Sequence, residues 1–257
     1  MTRSIAIISG KGGVGKTTLT SNLAAALATL GEDVVAVDGN LTTPNLGMHV
    51  GMHFAPHTLH DVLKGKVKLK DAIYPHPFGF KVIPASLCVD DLTGIDPSGL
   101  YEIVFNLTGK TNYILIDSAA GLGREAISAL QATSEVLPVT NPNLPSVADL
   151  LRTVKLAERL GKKVIGIVLN RVGKKDYELK KEEIEEMIGY PVVAQIPEDK
   201  NIPKAIFAKM PVVNYSPNSP ASIEFKKLAC LLTGRPFLEK QRFHFTIINR
   251  LVNWMMR

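Results

Sequence analysis

The chain has 257 residues, 46% of them hydrophobic, enough to bury one sizeable α/β core. Its two cysteines, Cys88 and Cys230, lie far apart without metal-type spacing, which argues for a reducing compartment and against a disulfide framework or a zinc site. The net charge is +6, and half of it falls between Leu238 and Arg257, where four basic residues stand against one acidic, so DNA is not expected as a partner of the remainder. The first strand begins at once, leaving no room for a signal peptide, and no apolar run approaches the roughly 18 residues of a spanning helix. A soluble or peripheral protein is expected.

Residues 4–8 (SIAII) predict a short apolar strand, and residues 18–30, rich in Ala and Leu, predict a helix stopped by Gly31. Between them Gly10-Lys11-Gly12-Gly13-Val14-Gly15-Lys16-Thr17 fits the phosphate-binding pattern G-x-x-x-x-G-K-[ST] without a mismatch. Strand, glycine loop and helix in that order aim backbone N–H groups and the positive end of a helix dipole at one point. The glycines let the backbone close on an anion where a Cβ would block it. Lys16 is placed to reach the β- and γ-phosphates of a nucleotide, and the Thr17 hydroxyl to ligate Mg²⁺; Thr18 continues the site into the helix.

Residues 33–37 read as a second strand ending at Asp38, followed by a polar loop through Asn40 and Pro44 at the strand edge where parallel sheets bind ligands. His49, His53, His57 and His60 would line one helical face, but Pro56 and Gly51 interrupt it, so surface or partner-facing histidines are expected rather than a metal site. Thr58 predicts an N-cap for a helix over 59–64 ended by Gly65; 69–74 is a short segment, 80–84 a brief strand, and 97–107 a helix. Residues 113–117 (YILID) place an aspartate, Asp117, at the end of a buried strand, where it can hold a metal-bound water. A strand over 135–139, an amphipathic helix over 145–160, and a buried strand over 163–169 ending at Asn170 follow. Next come a charged helix over 178–188, a strand over 192–196 leading to Pro197 and Glu198, and helices over 202–208 and 222–232. This alternation predicts an α/β fold, a mostly parallel doubly wound sheet flanked by helices.

A lysine directly after the first loop glycine, Lys11, is the deviant Walker A form, and on this loop the chain resembles the ParA/MinD family of P-loop ATPases. The phrase Val82-Ile83-Pro84-Ala85-Ser86 resembles the MinD group, and residues 118–123 resemble its switch II loop with Ala119 in place of the usual proline. The resemblance spans about residues 3–233 and implies ATP and Mg²⁺ as cofactors and a nucleotide-sandwich homodimer on ATP binding. Lys11 would then contact phosphate across the interface, Asn170 would read the adenine, and Pro197 and Glu198 would pack beside the base. It sets Asp38 with Thr17 and Asp117 as the magnesium ligands. Switch I in the family reads D-x-D and its second aspartate positions the attacking water; here it reads Asp38-Gly39-Asn40. Asn40 can accept a hydrogen bond from water but cannot act as a base, so slow hydrolysis is expected, with Lys11, Lys16 and Asn40 as the candidate catalytic residues.

Residues 1–234 are thus expected to form the ATPase domain and 235–257 a C-terminal amphipathic tail. Plotted as a helix, residues 242–257 gather Phe243, Ile247, Leu251, Trp254 and Met255 on one broad apolar arc and place the arginines on the other side. That is the pattern of a helix lying in an anionic membrane interface, and MinD-like proteins end in such a targeting helix. The expectation is a cytoplasmic ATPase, peripheral on the inner face of the cell membrane, acting in division-site selection or protein positioning through an activator or cargo protein. A ParA-like DNA-partitioning ATPase, a slow nucleotide-held scaffold and an iron–sulfur carrier of the same fold are the alternatives. The carrier lacks the paired cysteines it would need.

Overall fold

In the computed structural model, which describes residues 1–238 except His53 and Lys174, the strands divide the chain into βα units around one twisted sheet. The strands are β1 (Arg3–Ile8), β2 (Val34–Gly39), β3 (Tyr74–Pro75), β4 (Lys81–Ile83), β5 (Tyr113–Ser118), β6 (Glu135–Thr140), β7 (Lys163–Val164), β8 (Ile167–Val172) and β9 (Val192–Pro197). The helices are α1 (Lys16–Thr29), α2 (Leu46–His49), α3 (Leu59–Leu63), α4 (Leu100–Leu107), α5 (Arg124–Ala132), α6 (Leu144–Arg159), α7 (Lys181–Ile188), α8 (Asn201–Phe207), α9 (Val212–Tyr215) and α10 (Pro220–Thr233). The sheet order is β3-β4-β2-β5-β1-β6-β8-β9, with β7 also on β6. Every pairing is parallel except β3 with β4.

The central strands are apolar along their length because helices cover both faces. Along β5, Tyr113 and Leu115 enter a core shared with α1, α9 and α10, while Ile114 and Ile116 enter a second core with α4 and α5. β2 splits in the same way, Val34 and Ala36 to the first core and Val35 and Val37 to the second. This period of two decides where the strand-end aspartates go. Asp38 and Asp117 fall on the α1 face, and the parallel register sets them directly abreast.

The predicted elements are present with shifted ends. α1 starts two residues before the expected position, at Lys16, because Gly15 in the left-handed region (φ 104°) is already its N-cap. Gly31 ends it as expected, its N–H returning to Ala28 O and that of Glu32 to Leu27 O. The strand expected over 163–169 is broken at Gly166 (φ 147°), where a Cβ would lie 2.3 Å from Val193 Cγ1. The helix expected from 178 starts at Lys181, after Glu178 has turned back to receive the Gly173 N–H. The segment expected over 69–74 is a short 3₁₀ turn, Leu69–Ala72, that runs into β3. Helices α2 and α9 are single turns too short to show periodicity in the sequence.

The histidine expectation needs correction. His60 is fully buried, not surface-facing, and its Nδ1 accepts the Ser86 N–H at 3.0 Å. His49 is half-buried against Asn45 O, His57 is exposed, and His53 lies outside the described residues. No metal-holding group of His, Cys, Asp or Glu occurs among the described residues. α10 ends at Gly234 (φ 69°), and Arg235 then pairs with Glu32 at 2.6 Å. The expected membrane-facing residues Phe243, Ile247, Leu251, Trp254 and Met255 lie outside the described residues.

Candidate functional site: a phosphate loop over two buried carboxylates

Residues 10–17 leave β1 at the C-terminal edge of the sheet and turn into α1. Gly13 (φ 76°) and Gly15 (φ 104°) are the two positions whose backbone demands glycine for conformational reasons. Gly10 is required by space instead, since a Cβ there would lie 2.1 Å from the Asp149 carbonyl carbon in α6. α1 begins with no side-chain cap and no acidic residue in its first turn, so its leading N–H groups remain available to an anion.

Lys16 is buried beneath this loop, with Nζ donating to Ser9 Oγ at 2.8 Å, and Ser9 Oγ donating in turn to Lys11 O at 2.8 Å. Burial lowers the Lys16 pKa, and the Asp117 charge opposes that shift. Lys11 is exposed and joins no ion pair among the described residues.

Asp38 and Asp117 are both fully buried. Asp38 Oδ2 accepts the Leu46 N–H at 2.9 Å, but among the described residues Asp38 Oδ1 and both oxygens of Asp117 have no hydrogen-bond partner. Burial pushes Asp117 up to about 6, against the pull of Thr17, Lys16 and Thr20 nearby. Asp38 is raised well above the carboxylate range by burial and by the Asp117 charge. Two abutting buried carboxylates with three unpaired oxygens are costly unless a cation joins them. Hard oxygen donors beside a hydroxyl and a phosphate loop fit Mg²⁺.

A cavity of about 440 Å³ adjoins the start of α1 and brings together Thr18, Asn170, Pro197 and Glu198, all foreseen from the sequence, with Arg171, Asp199 and Ile202. Asn170 Nδ2 donates to Val14 O at 2.6 Å, so this residue braces the phosphate loop as well as lining the cavity. Among the described residues its buried Oδ1 has no hydrogen-bond partner, which leaves that acceptor unused.

Asn40 spends both ends of its amide on Thr43. Its Nδ2 donates to Thr43 O, and its Oδ1 accepts from Thr43 Oγ1 at 3.1 Å, both within its own loop. The sequence reading missed Ser9, which receives the Lys16 ammonium, and Asn141, whose Nδ2 donates to Asn170 O at 2.9 Å. Both stand just past or at the end of central strands, on the ligand-binding edge, and that position was the available signal.

A parallel α/β sheet with a glycine loop, a buried lysine and paired strand-end carboxylates on its C-terminal edge defines a P-loop nucleotide-binding protein. Comparison with known proteins agrees. Residues 5–212 match the CobQ/CobB/MinD/ParA nucleotide binding domain. An uncharacterized ATP-binding protein of Methanocaldococcus jannaschii is 40% identical over 232 residues, 90% of this chain and 88% of its own. Among solved structures, the septum site-determining protein MinD of Pyrococcus horikoshii complexed with Mg-ADP superposes with a TM-score of 0.88 at 39% identity. The match covers 90% of this chain and 96% of that one. The MinC:MinD cell division protein complex of Aquifex aeolicus gives 0.82 at 30% identity, covering 93% and 98%. The chain belongs to the ParA/MinD family of nucleotide-binding ATPases and is a MinD-like member of it.

Proposed function

We propose that this chain is a MinD-like ATPase that binds Mg-ATP, pairs with a second copy over the nucleotides and holds the membrane through residues 235–257, serving division-site selection or the positioning of another protein. The observation that carries the nucleotide reading is the pair Asp38 and Asp117, set abreast on the α1 face with three unpaired buried oxygens beside the uncapped N-terminus of α1. Mg-ATP, when bound, supplies the phosphoanhydride to be cleaved and a cation that neutralises its charge. Lys16 and the loop N–H groups hold the β- and γ-phosphates, and Thr17, Asp38 and Asp117 hold the cation or its waters. The open Oδ1 of Asn170 accepts from an exocyclic amine, which favours adenine over guanine, whose corresponding position is an acceptor. Lys11 reaches the phosphates of the partner protomer. Asn40 orients the water without taking its proton, and its closure on Thr43 favours slow turnover.

The membrane step rests on the sequence of the tail. One weak amphipathic segment binds marginally, and two joined by a dimer bind with avidity. No helix among the described residues is long and apolar enough to cross a membrane. A protein partner is also expected, in line with the Aquifex MinC:MinD complex. The test is co-sedimentation with vesicles containing anionic lipid, in ATP, ADP or no nucleotide, for the full chain and a truncation after Gly234. ATP-dependent binding that disappears with the tail is expected. Binding indifferent to nucleotide, or none, overturns the membrane reading, and salt-sensitive retention on DNA by the truncated chain would point to a partitioning ATPase.

A further inference from the structure

Two loops follow the strands that carry the carboxylate pair, residues 40–45 after β2 and 119–123 after β5, and they are joined a second time further out. Glu125, half-buried in the first turn of α5, accepts the Thr42 backbone N–H on Oε2 at 3.3 Å and the Thr42 hydroxyl on Oε1. Both oxygens of one carboxylate therefore close on one residue of the opposite loop. Inside that loop Thr43 O accepts from Asn40 Nδ2 and, at 2.8 Å, from Asn45 Nδ2, while Thr43 Oγ1 donates back to Asn40 Oδ1. Asn40 is thus closed at both ends on the residue adjacent to the one Glu125 holds. Consecutive Cα atoms are about 3.8 Å apart, so Thr43 cannot swing away from Asn40 while Thr42 stays pinned. The loop before Glu125 is itself tied down, since Gly121 N–H donates at 2.9 Å to the carbonyl of Ser9, the residue whose hydroxyl receives Lys16.

We infer that Glu125 is a positioning residue for hydrolysis: it clasps Thr42, keeps Asn40 turned in on Thr43, and must release the loop before Asn40 can orient a water. The inference rests on the ATPase reading above and adds to it the contact that sets the timing of Asn40. Because the clasp joins the loop after Asp38 to the helix that follows the loop after Asp117, a shift of residues 119–123 is carried through the start of α5 to Thr42. Release therefore depends on the state of the nucleotide site and not on the first loop alone.

The experiment compares the wild-type full chain with Glu125→Ala, Glu125→Gln, Thr42→Val and the double variant Thr42→Val/Glu125→Ala. Amide hydrogen exchange of the nucleotide-free protein, the ATP Kd, and the single-turnover hydrolysis rate at saturating Mg-ATP are read for each. For Glu125→Ala, exchange over residues 40–46 rises roughly tenfold while residues 10–17 are unchanged. The hydrolysis rate rises roughly fivefold, and the Kd stays within about twofold, as expected for loss of hydrogen bonds to a charged group in a half-exposed setting. Glu125→Gln, which keeps one acceptor, lies between the two, and the double variant is no faster than Glu125→Ala. Unchanged exchange over 40–46, a lower or unchanged rate, or additive effects overturn the clasp. A wild-type chain that neither binds nor cleaves ATP would overturn the proposed function, and the exchange measurement would still decide whether Glu125 holds the loop.

Discussion

Replacing Asp117 by asparagine removes one of two buried carboxylates that stand abreast, opposed only in part by the Lys16 ammonium. Asp117 titrates at about 6 in the fold against an ordinary 3.8, because burial disfavours its charged form. The folded state therefore binds more protons than the unfolded state between those values, and stability falls as pH rises through that window. At about 1.4 kcal/mol per pKa unit, the two-unit displacement corresponds to about 3 kcal/mol lost by pH 8. The substituted amide carries no charge, so in EDTA at pH 8 the Asp117→Asn protein should be more stable by about that amount, roughly 6 to 12 °C in Tm for a chain of this size. Its advantage should shrink to well under about 1 kcal/mol at pH 4, where the folded carboxyl is protonated and the unfolded one is about half protonated. Urea unfolding of both proteins in EDTA at pH 4.5, 6 and 8 measures the difference directly. Adding Mg-ATP should reverse the order at pH 8, because only the wild type gains a cation between its carboxylates. A variant that is less stable than wild type in EDTA at pH 8, or a gap that does not change with pH, would refute the reasoning.

Within the phosphate loop, two glycines should respond differently to alanine. Gly10→Ala drives a Cβ into the α6 backbone and should cost about 1 to 3 kcal/mol in urea unfolding, whereas Gly12→Ala meets open space and should stay within about 0.5 kcal/mol. Asn170→Ala removes both the brace on Val14 O and the unused acceptor of a residue that lines the adjoining cavity. Competition titrations should show weaker binding of ATP and GTP alike, together with a roughly tenfold loss of the preference for ATP; an unchanged preference would remove Asn170 from base recognition.

Much of this protein was legible in its order of residues, because local chemistry fixes local structure. The glycine loop between an apolar strand and an Ala/Leu helix needs no distant partner to be recognised, and the alternation of strands and helices implies a parallel sheet with covered faces. Even Asp38 and Asp117 could be placed one at a time at strand ends, since a parallel strand buried on both faces reads as an apolar run that stops at its first charge. Boundaries set by non-local contact were not legible. Nothing near Gly166 in sequence announces that Val193 occupies the space a side chain would need, and nothing near His60 announces that it will be buried with the Ser86 N–H on its ring.

The tertiary structure alone decided what the separate motifs do to one another. Sheet register, a matter of which strands pair, brought Asp38 abreast of Asp117 and left three of their oxygens without partners. Chain folding over more than eighty residues put Glu125 on Thr42, beside the local turn in which Asn40 closes on Thr43, a contact between two loops that neither motif announces by itself. The sequence determined which groups are present and the helix or strand each one ends. Their pKa shifts, their unpaired atoms and their mutual restraint arise from burial and distance, which exist only once the chain has folded.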